Sequence, residues 1–390
     1  MKKRKICVVT TSRADYGHQR ILMEQIDRDK GLALDIIVSG SHLSHEFGHT
    51  VDAIERDGFH ITEKIEMLLS SDTETSVIKS IGIGLISFAE VLSGSRPDIL
   101  VLLGDRFEIL CPAIAALILR IPVAHIHGGE SSEGAIDEAV RHCVTKMATY
   151  HFPATDTYRA RILQMGEDPG RVFNFGAPGL DQIHRNKPMT RRALEKVLDF
   201  DLTGRVAIVT YHPVTLSSGS SVGTVKNIVE SLERTGLRAL FTKANADSDG
   251  IRINRYISEI CAAHPERYKF FDNLGQDVYL GCLKHLDLMI GNSSSGLIEA
   301  PTLKIPVVNI GKRQDGRVKA GNVIDVDESA AEILRGVEMA LSEDFSRRLV
   351  DVRNPYDLHG DGKTSFRIKE ALKTVPLTED VVRKRFHDLS

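Results

Sequence analysis

The nineteen residues from Ala124 to His142, AHIHGGESSEGAIDEAVRH, hold three histidines (His125, His127, His142) and four carboxylates (Glu130, Glu133, Asp137, Glu138) around a Gly-Gly pair. Imidazoles and carboxylates at this density suit general acid/base work, because their surroundings can tune both to exchange protons near neutral pH. An HxH pair also occurs in metal sites. Here the spacing fixes no third ligand, and the two rings share a face only if the strand stays extended. EGAIDEAVRH reads as a helix that sets Asp137 against Arg141 and Glu138 against His142 at i,i+4. For Glu133 and Glu138 a solvated helix face competes with any chemical role.

Other polar clusters each follow a short apolar run. In TSRADYGHQR, Arg13 beside Ser12 and ahead of a helix reads equally as an anion site or as an N-cap serine among surface charges. GDRFE places Asp105 and Arg106 at the end of a buried run, where an ionised pair is costly unless it is used or matched. Glu108, two residues on, fits a helix first turn. VTYHPVT offers His212 for a phosphate contact or a proton transfer, with a structural histidine as the plain alternative. GNSSSGLIE supplies hydroxyls and backbone N–H groups at Ser293 and Ser294, with Glu299 about two turns into a following helix and in place to accept from ribose hydroxyls. Arg313 and Arg317 come after the next apolar run, available to phosphate charge. No GK[ST] loop or GxGxxG fingerprint is present, which disfavours a P-loop nucleotidase or a NAD enzyme.

These clusters need elements to position them, and the sequence alternates strand-length apolar runs with helix-length amphipathic ones. Strands are expected at 6–10, 34–38, 99–103 and 123–126, and again at 206–211, 239–241, 269–271, 288–290 and 307–310. Helical patterns near 18–29, 77–92, 108–119 and 135–149 separate the first four. The rhythm predicts an α/β chain of two Rossmann-like doubly wound domains, 1–185 and 190–365. A basic, proline-bearing linker lies near 184–190, and a C-terminal helix, 366–390, returns to the first domain. In such an arrangement ligand lies between the two sets of strand C-terminal ends.

Composition narrows the class further. With 42% hydrophobic and 26% charged residues and a net charge of −3, the chain has no basic field for a nucleic-acid partner. The longest apolar stretch, IGIGLISFAEVL, falls short of the roughly 20 residues of a membrane span. The start MKKRKICVVTT lacks the cleavage pattern of a signal peptide. Five scattered cysteines without a CxxC fit reduced thiols in a cytoplasmic enzyme.

Taken in order, TSRADYG, GDR, HIHGGE, AIDEAVRH, HPVT, GNSSSGLIE and GKRQDGR resemble the hydrolysing UDP-N-acetylglucosamine 2-epimerases, over roughly residues 5 to 370. The resemblance is nearest to the bacterial branch that feeds sialic and related nonulosonic acids. It implies a glycosyltransferase-B-type arrangement of the two domains, a UDP-sugar substrate, no cofactor, no metal, no nucleic-acid or membrane partner, and a homodimer or homotetramer. The implied reaction eliminates UDP across C1–C2 to a 2-acetamidoglucal and then hydrates it with inverted C2, giving N-acetylmannosamine and UDP.

By motif, Asp105 and Asp137 match the family's catalytic acidic positions and His212 its motif histidine. Arg13, Ser293, Ser294, Glu299 and Arg313 match UDP-binding positions, with Arg106 beside them. Many members read His-Ile-Glu where this chain has His125-Ile126-His127, so the second acid/base is His127 or Glu130. Gly17 stands where some relatives place a nucleotide-contacting serine. The HIHGGE form is similar to that of bacterial sialic-acid-type members and also to that of members acting on UDP-2,4-diacetamido-2,4,6-trideoxyhexose in the legionaminic acid route, which makes that sugar the alternative substrate. A glycosyltransferase of the same two-domain shape and a non-catalytic nucleotide-sugar sensor are the competing readings.

Overall fold

The computed structural model describes residues 3–44, 48–71, 73–132, 136–185, 189–213, 221–244, 248–378 and 380–389; Glu133 and the 214–220 segment after His212 lie outside the described residues. The chain divides into two compact units. One holds the described residues up to 131, those of 136–184 and those from 358 onward; the other holds Ser132 and those of 185–357.

The first unit is built on six strands: β1 (Arg4–Thr10), β2 (Leu32–Ser39), β3 (Glu63–Ile65), β4 (Ile99–Leu103), β5 (Val123–Ile126) and β6 (Tyr150–Phe152). They pair in parallel in the order β3-β2-β1-β4-β5-β6. Along β1 and β4 alternate residues feed different cores. Ile6, Val8, Ile99 and Val101 join one, while Cys7, Val9, Leu100 and Leu102 join the other. Both faces are therefore buried, which is why these strands are apolar throughout rather than alternating.

The second unit repeats the plan with β7 (Val206–Thr210), β8 (Arg238–Thr242), β9 (Tyr268–Phe271), β10 (Leu288–Gly291), β11 (Val307–Ile310) and β12 (Val323–Val326). All are parallel, in the order β12-β11-β10-β7-β8-β9. In each sheet the order reverses beside the first strand, between β1 and β4 and between β7 and β10. Loops leaving the carboxyl ends of those strands flank the switch point, where doubly wound sheets take their ligands.

Three expectations need correction. The break between the units falls at 357/358 rather than at 365. The last helix spans Thr364–Thr374, and among the described residues 380–389 are not helical. Pro376 disfavours helical backbone at the residue before it, so Val375 leaves the helix. The chain beyond instead ties itself to the first unit: the Lys384 Nζ donates to the carbonyls of Lys146 and Ala148, 2.7 Å each, and pairs with Glu167. Lastly, the helix Glu74–Ser95, at 22 residues and mean hydropathy 1.5, is long and apolar enough by length and composition to cross a bilayer. One stripe of it, Ser80, Gly84, Phe88 and Leu92, is buried in the first unit.

Candidate active site

In the first unit the opening motif begins inside β5, where His125 is fully buried. Its Nε2 meets the Gly104 carbonyl at 2.8 Å and its Nδ1 the Thr145 hydroxyl at 3.1 Å, so both nitrogens are committed. Burial pushes it down to about 3, which keeps it neutral. The strand stops at Ile126, and His127 takes a φ of 62°, a left-handed conformation rare outside glycine. That turn takes His127 out of the extended geometry on which the HxH reading depends. Among the described residues no three His, Cys, Asp or Glu side chains gather as a metal group.

The glycines that follow are required by close packing. A Cβ on Gly128 would lie 2.9 Å from the His125 Nδ1, and one on Gly129, at φ 75°, would lie 2.5 Å from the Tyr158 carbonyl. The tight turn they allow brings Glu130 back onto His127, with Oε1 2.5 Å from Nδ1. The His127 Nε2 is buried with no protein partner. A carboxylate behind one imidazole nitrogen fixes the ring and favours a proton on it, leaving the other nitrogen to do chemistry.

Arg141, expected beside Asp137 at i,i+4, organises the rest. From the helix Ile136–Met147 it turns inward, 2% exposed. One arm donates to the Asp105 carboxylate; the other donates to the His127 carbonyl at 3.1 Å and lies 3.5 Å from the Glu130 Oε2. Asp105 reaches this position because Gly104, at φ 84°, bends the chain out of β4. Asp137, half-buried on the same helix, has its pKa raised by burial and then by the Asp105 charge, against the pull of Arg106 and Arg141. The expected pair of Glu138 with His142 forms at 3.1 Å.

Glu108 stands in the first turn of the helix Phe107–Leu119, as expected, and is buried there, accepting twice from Arg106 at 2.7 and 3.2 Å. After β1, Ser12 caps the helix Arg13–Asp27 and Arg13 is exposed at its first position. Asp15, buried in that first turn, accepts from the Thr11 hydroxyl at 2.7 Å and has its pKa raised by burial.

In the second unit the loops after β7 and β10 are clasped by one side chain. Asn292 accepts from the His212 N–H and donates to the His212 carbonyl, 2.8 Å each. The close approach needs Gly291, because a Cβ there would sit 1.9 Å from the Thr210 carbonyl at φ 133°. Arg313 and the buried Gln314 both donate to the Asn292 carbonyl, at 2.9 and 2.8 Å. His212 is pushed down to about 3, by burial first and then by the Arg313 charge. Ser293 and Ser294 stand half-buried on this loop. The helix behind them is only Ser295–Ile298, with Glu299 as its C-cap rather than two turns inside. Pro301 stops it, so the hydroxyls and arginines, not a long helix dipole, are what this loop offers an anion.

Asn292, Gln314 and the imidazole of His18, whose ring centre lies 5.8 Å from that of His127, carry no motif role in the sequence, and Arg141 figures there only as a helical neighbour of Asp137.

Two doubly wound α/β units, one with a buried acid/base group at its switch point and the other with hydroxyls and an arginine at its own, have the make-up of a nucleotide-sugar enzyme. Residues 24–373 match the family described as UDP-N-acetylglucosamine 2-epimerase, and the chain belongs to that family as a nucleotide-sugar 2-epimerase. It is 40% identical over 390 residues, the full length of both chains, to the hydrolysing GDP/UDP-N,N'-diacetylbacillosamine 2-epimerase of Campylobacter jejuni. It is 39% identical over 381 residues, 98% of each chain, to the hydrolysing UDP-N,N'-diacetylbacillosamine 2-epimerase of Legionella pneumophila. Its fold is similar to that of the UDP-GlcNAc 2-epimerase of Neisseria meningitidis bound to UDP-GlcNAc, with a TM-score of 0.81 and 16% identity over 94% of this chain and 99% of the other.

Proposed function

We propose that this protein hydrolyses UDP-N,N'-diacetylbacillosamine, a UDP-2,4-diacetamido-2,4,6-trideoxyhexose, with inversion at C2. The products are UDP and the free 2,4-diacetamido-2,4,6-trideoxymannose. The observation that carries the reaction is the His127–Glu130–Arg141–Asp105 group, with Asp137 near it. The choice of sugar is supported by full-length similarity to two relatives named for it.

In this reading a carboxylate of the Asp105 and Asp137 pair takes the C2 proton. The C–H electrons form the C1=C2 bond, and the C1–O bond breaks with its electrons going to the diphosphate. The protonated His127, backed by Glu130, then gives its proton to C2 from the opposite face. Water bonds to C1 and returns a proton to His127, while the carboxylate releases the C2 proton to solvent. Ser293, Ser294, Arg313, His212 and Glu299 hold the UDP, and Arg13 and Arg106 add positive charge for the leaving diphosphate. Glu130 positions and charges His127 rather than touching the sugar, because His127 and Arg141 occupy its oxygens. No step calls for a cofactor or a metal.

The enzyme is taken to work as a homodimer or homotetramer in the cytoplasm. Exposed Ile78, Ile86, Leu117 and Ile118 and five free cysteines support that view. Sedimentation of the purified protein tests it, and a monomer at micromolar concentration refutes the oligomer.

The substrate test is incubation without any acceptor, comparing UDP-N,N'-diacetylbacillosamine with UDP-N-acetylglucosamine, from which the family takes its description. Stoichiometric UDP and free 2-epimerised sugar, faster from the first, are expected. Faster turnover of UDP-N-acetylglucosamine would move the assignment to N-acetylmannosamine production for sialic acid synthesis. Consumption only after an acceptor is added would make the protein a glycosyltransferase.

A further inference from the structure

His18 lies on the helix Arg13–Asp27 and has been given no role above. Its ring stands 5.8 Å from that of His127, tilted by 54°. Its place is fixed from behind by Gly179 in the turn Pro178–Leu180, where any Cβ would come 2.1 Å from the His18 Nδ1. That nitrogen is buried and bonds to no protein atom, while the residue as a whole is half-exposed.

We propose that His18 is a positioning residue of this site, an uncharged ring held over His127 so that His127 can carry the proton it delivers to the sugar. The inference rests on the assignment of His127 as proton donor. Charge balance supports it. The groups facing His127 are Glu130 on its own loop, Arg141 from the helix Ile136–Met147 with Asp105 bonded to it, His125 from β5, and His18. Two carboxylates, one guanidinium and a protonated His127 sum to zero. Burial and then the Asp105 charge raise the pKa of Asp137, against Arg106 and Arg141, and Arg106 is balanced by Glu108. A second cation at position 18 would break that balance at short range inside a poorly solvated group. Burial and His127 itself push His18 down to about 4, against the pull of Glu130, so it stays neutral wherever the enzyme would work.

The test compares His18→Lys with His18→Asn, following kcat and KM for UDP release from about pH 6 to about pH 10. An acid that must be protonated loses activity as pH rises, and a neighbouring cation makes that loss come earlier. The alkaline limb of the His18→Lys profile is therefore expected to move down by roughly one to two pH units, with the Asn profile keeping the wild-type limb whatever its kcat. A Lys limb that coincides with wild type, or an Asn limb displaced as far as the Lys one, overturns the inference. A substrate-free readout separates this from the reaction assignment: NMR titration of the His127 ring protons, identified by their loss in His127→Gln. The His127 signal is expected to titrate at lower pH in His18→Lys than in His18→Asn, and identical titrations refute the coupling. If the wild-type protein releases UDP from no UDP-sugar, the reaction assignment fails and this titration alone decides the role of His18.

Discussion

Replacing Glu130 by Gln removes one charge and almost no volume, which makes it the sharpest probe of the proton-donating pair. The Glu130 Oε1 sits 2.5 Å from the His127 Nδ1, and the residue is 2% exposed, so solvent cannot stand in for the lost carboxylate. A hydrogen bond to a charged group contributes about 1.5–3 kcal/mol, and in the variant this support for the protonated ring disappears. If His127 must carry a proton in the transition state, that loss lowers kcat by roughly 10- to 150-fold. The amide can also rotate its NH2 toward Nδ1 and hold the ring in the wrong tautomer, which deepens the loss. KM should stay within a few-fold, because Glu130 touches no group assigned to the UDP. Arg141 keeps its bond to Asp105, so the fold should survive. The assay is UDP release against substrate concentration near neutral pH, with a thermal melt to show that the protein is folded. A folded variant with kcat within about threefold of wild type, or one whose loss lies wholly in KM, would refute the reasoning.

Other consequences can be measured alongside. Arg313→Ala should weaken UDP binding by roughly 10- to 100-fold by calorimetry while leaving the loop in place, since Gln314 still donates to the Asn292 carbonyl at 2.8 Å. Gly291→Ala forces a Cβ to 1.9 Å from the Thr210 carbonyl and should destabilise the second unit by at least about 2 kcal/mol in urea unfolding. Stability should also fall on acidification. Burial pushes His125 and His42 down to about 3 and about 4, so below about pH 6.5 the unfolded chain binds protons that the folded one refuses. Each of these groups then removes about 1.4 kcal/mol per pH unit, down to its folded value. Urea midpoints that do not fall between pH 7 and pH 5 would contradict this.

The sequence carried the long, doubly buried strands clearly. β4, β5 and β11 fall where their apolar runs place them, and β1, β2, β7, β8, β9 and β10 differ only at their ends. β3 and β6 escaped notice because three residues hold no period, and β12, VIDV, because half of it faces outward. The tail 380–389 shows the opposite failure: an amphipathic pattern whose side chains and backbone find partners on the first unit without forming a helix. Motif spacing placed Asp105, His127, Glu130 and Asp137 in one neighbourhood. It could not show that His127 turns to positive φ, off the end of the strand, and meets Glu130. Helical periodicity likewise put Arg141 beside Asp137 along the helix axis, yet only tertiary packing decides that its guanidinium turns inward to Asp105. Glu299 ends its helix rather than lying two turns inside it, because Pro301 lets the helix run no further.

Elimination and rehydration of the sugar is the central claim, and solvent deuterium tests it most directly. With UDP-N,N'-diacetylbacillosamine in D2O, the account predicts one UDP released per free sugar, and that sugar in the manno configuration with a single deuterium at C2. Released sugar that keeps its original hydrogen at C2, or keeps its original configuration there, would contradict it.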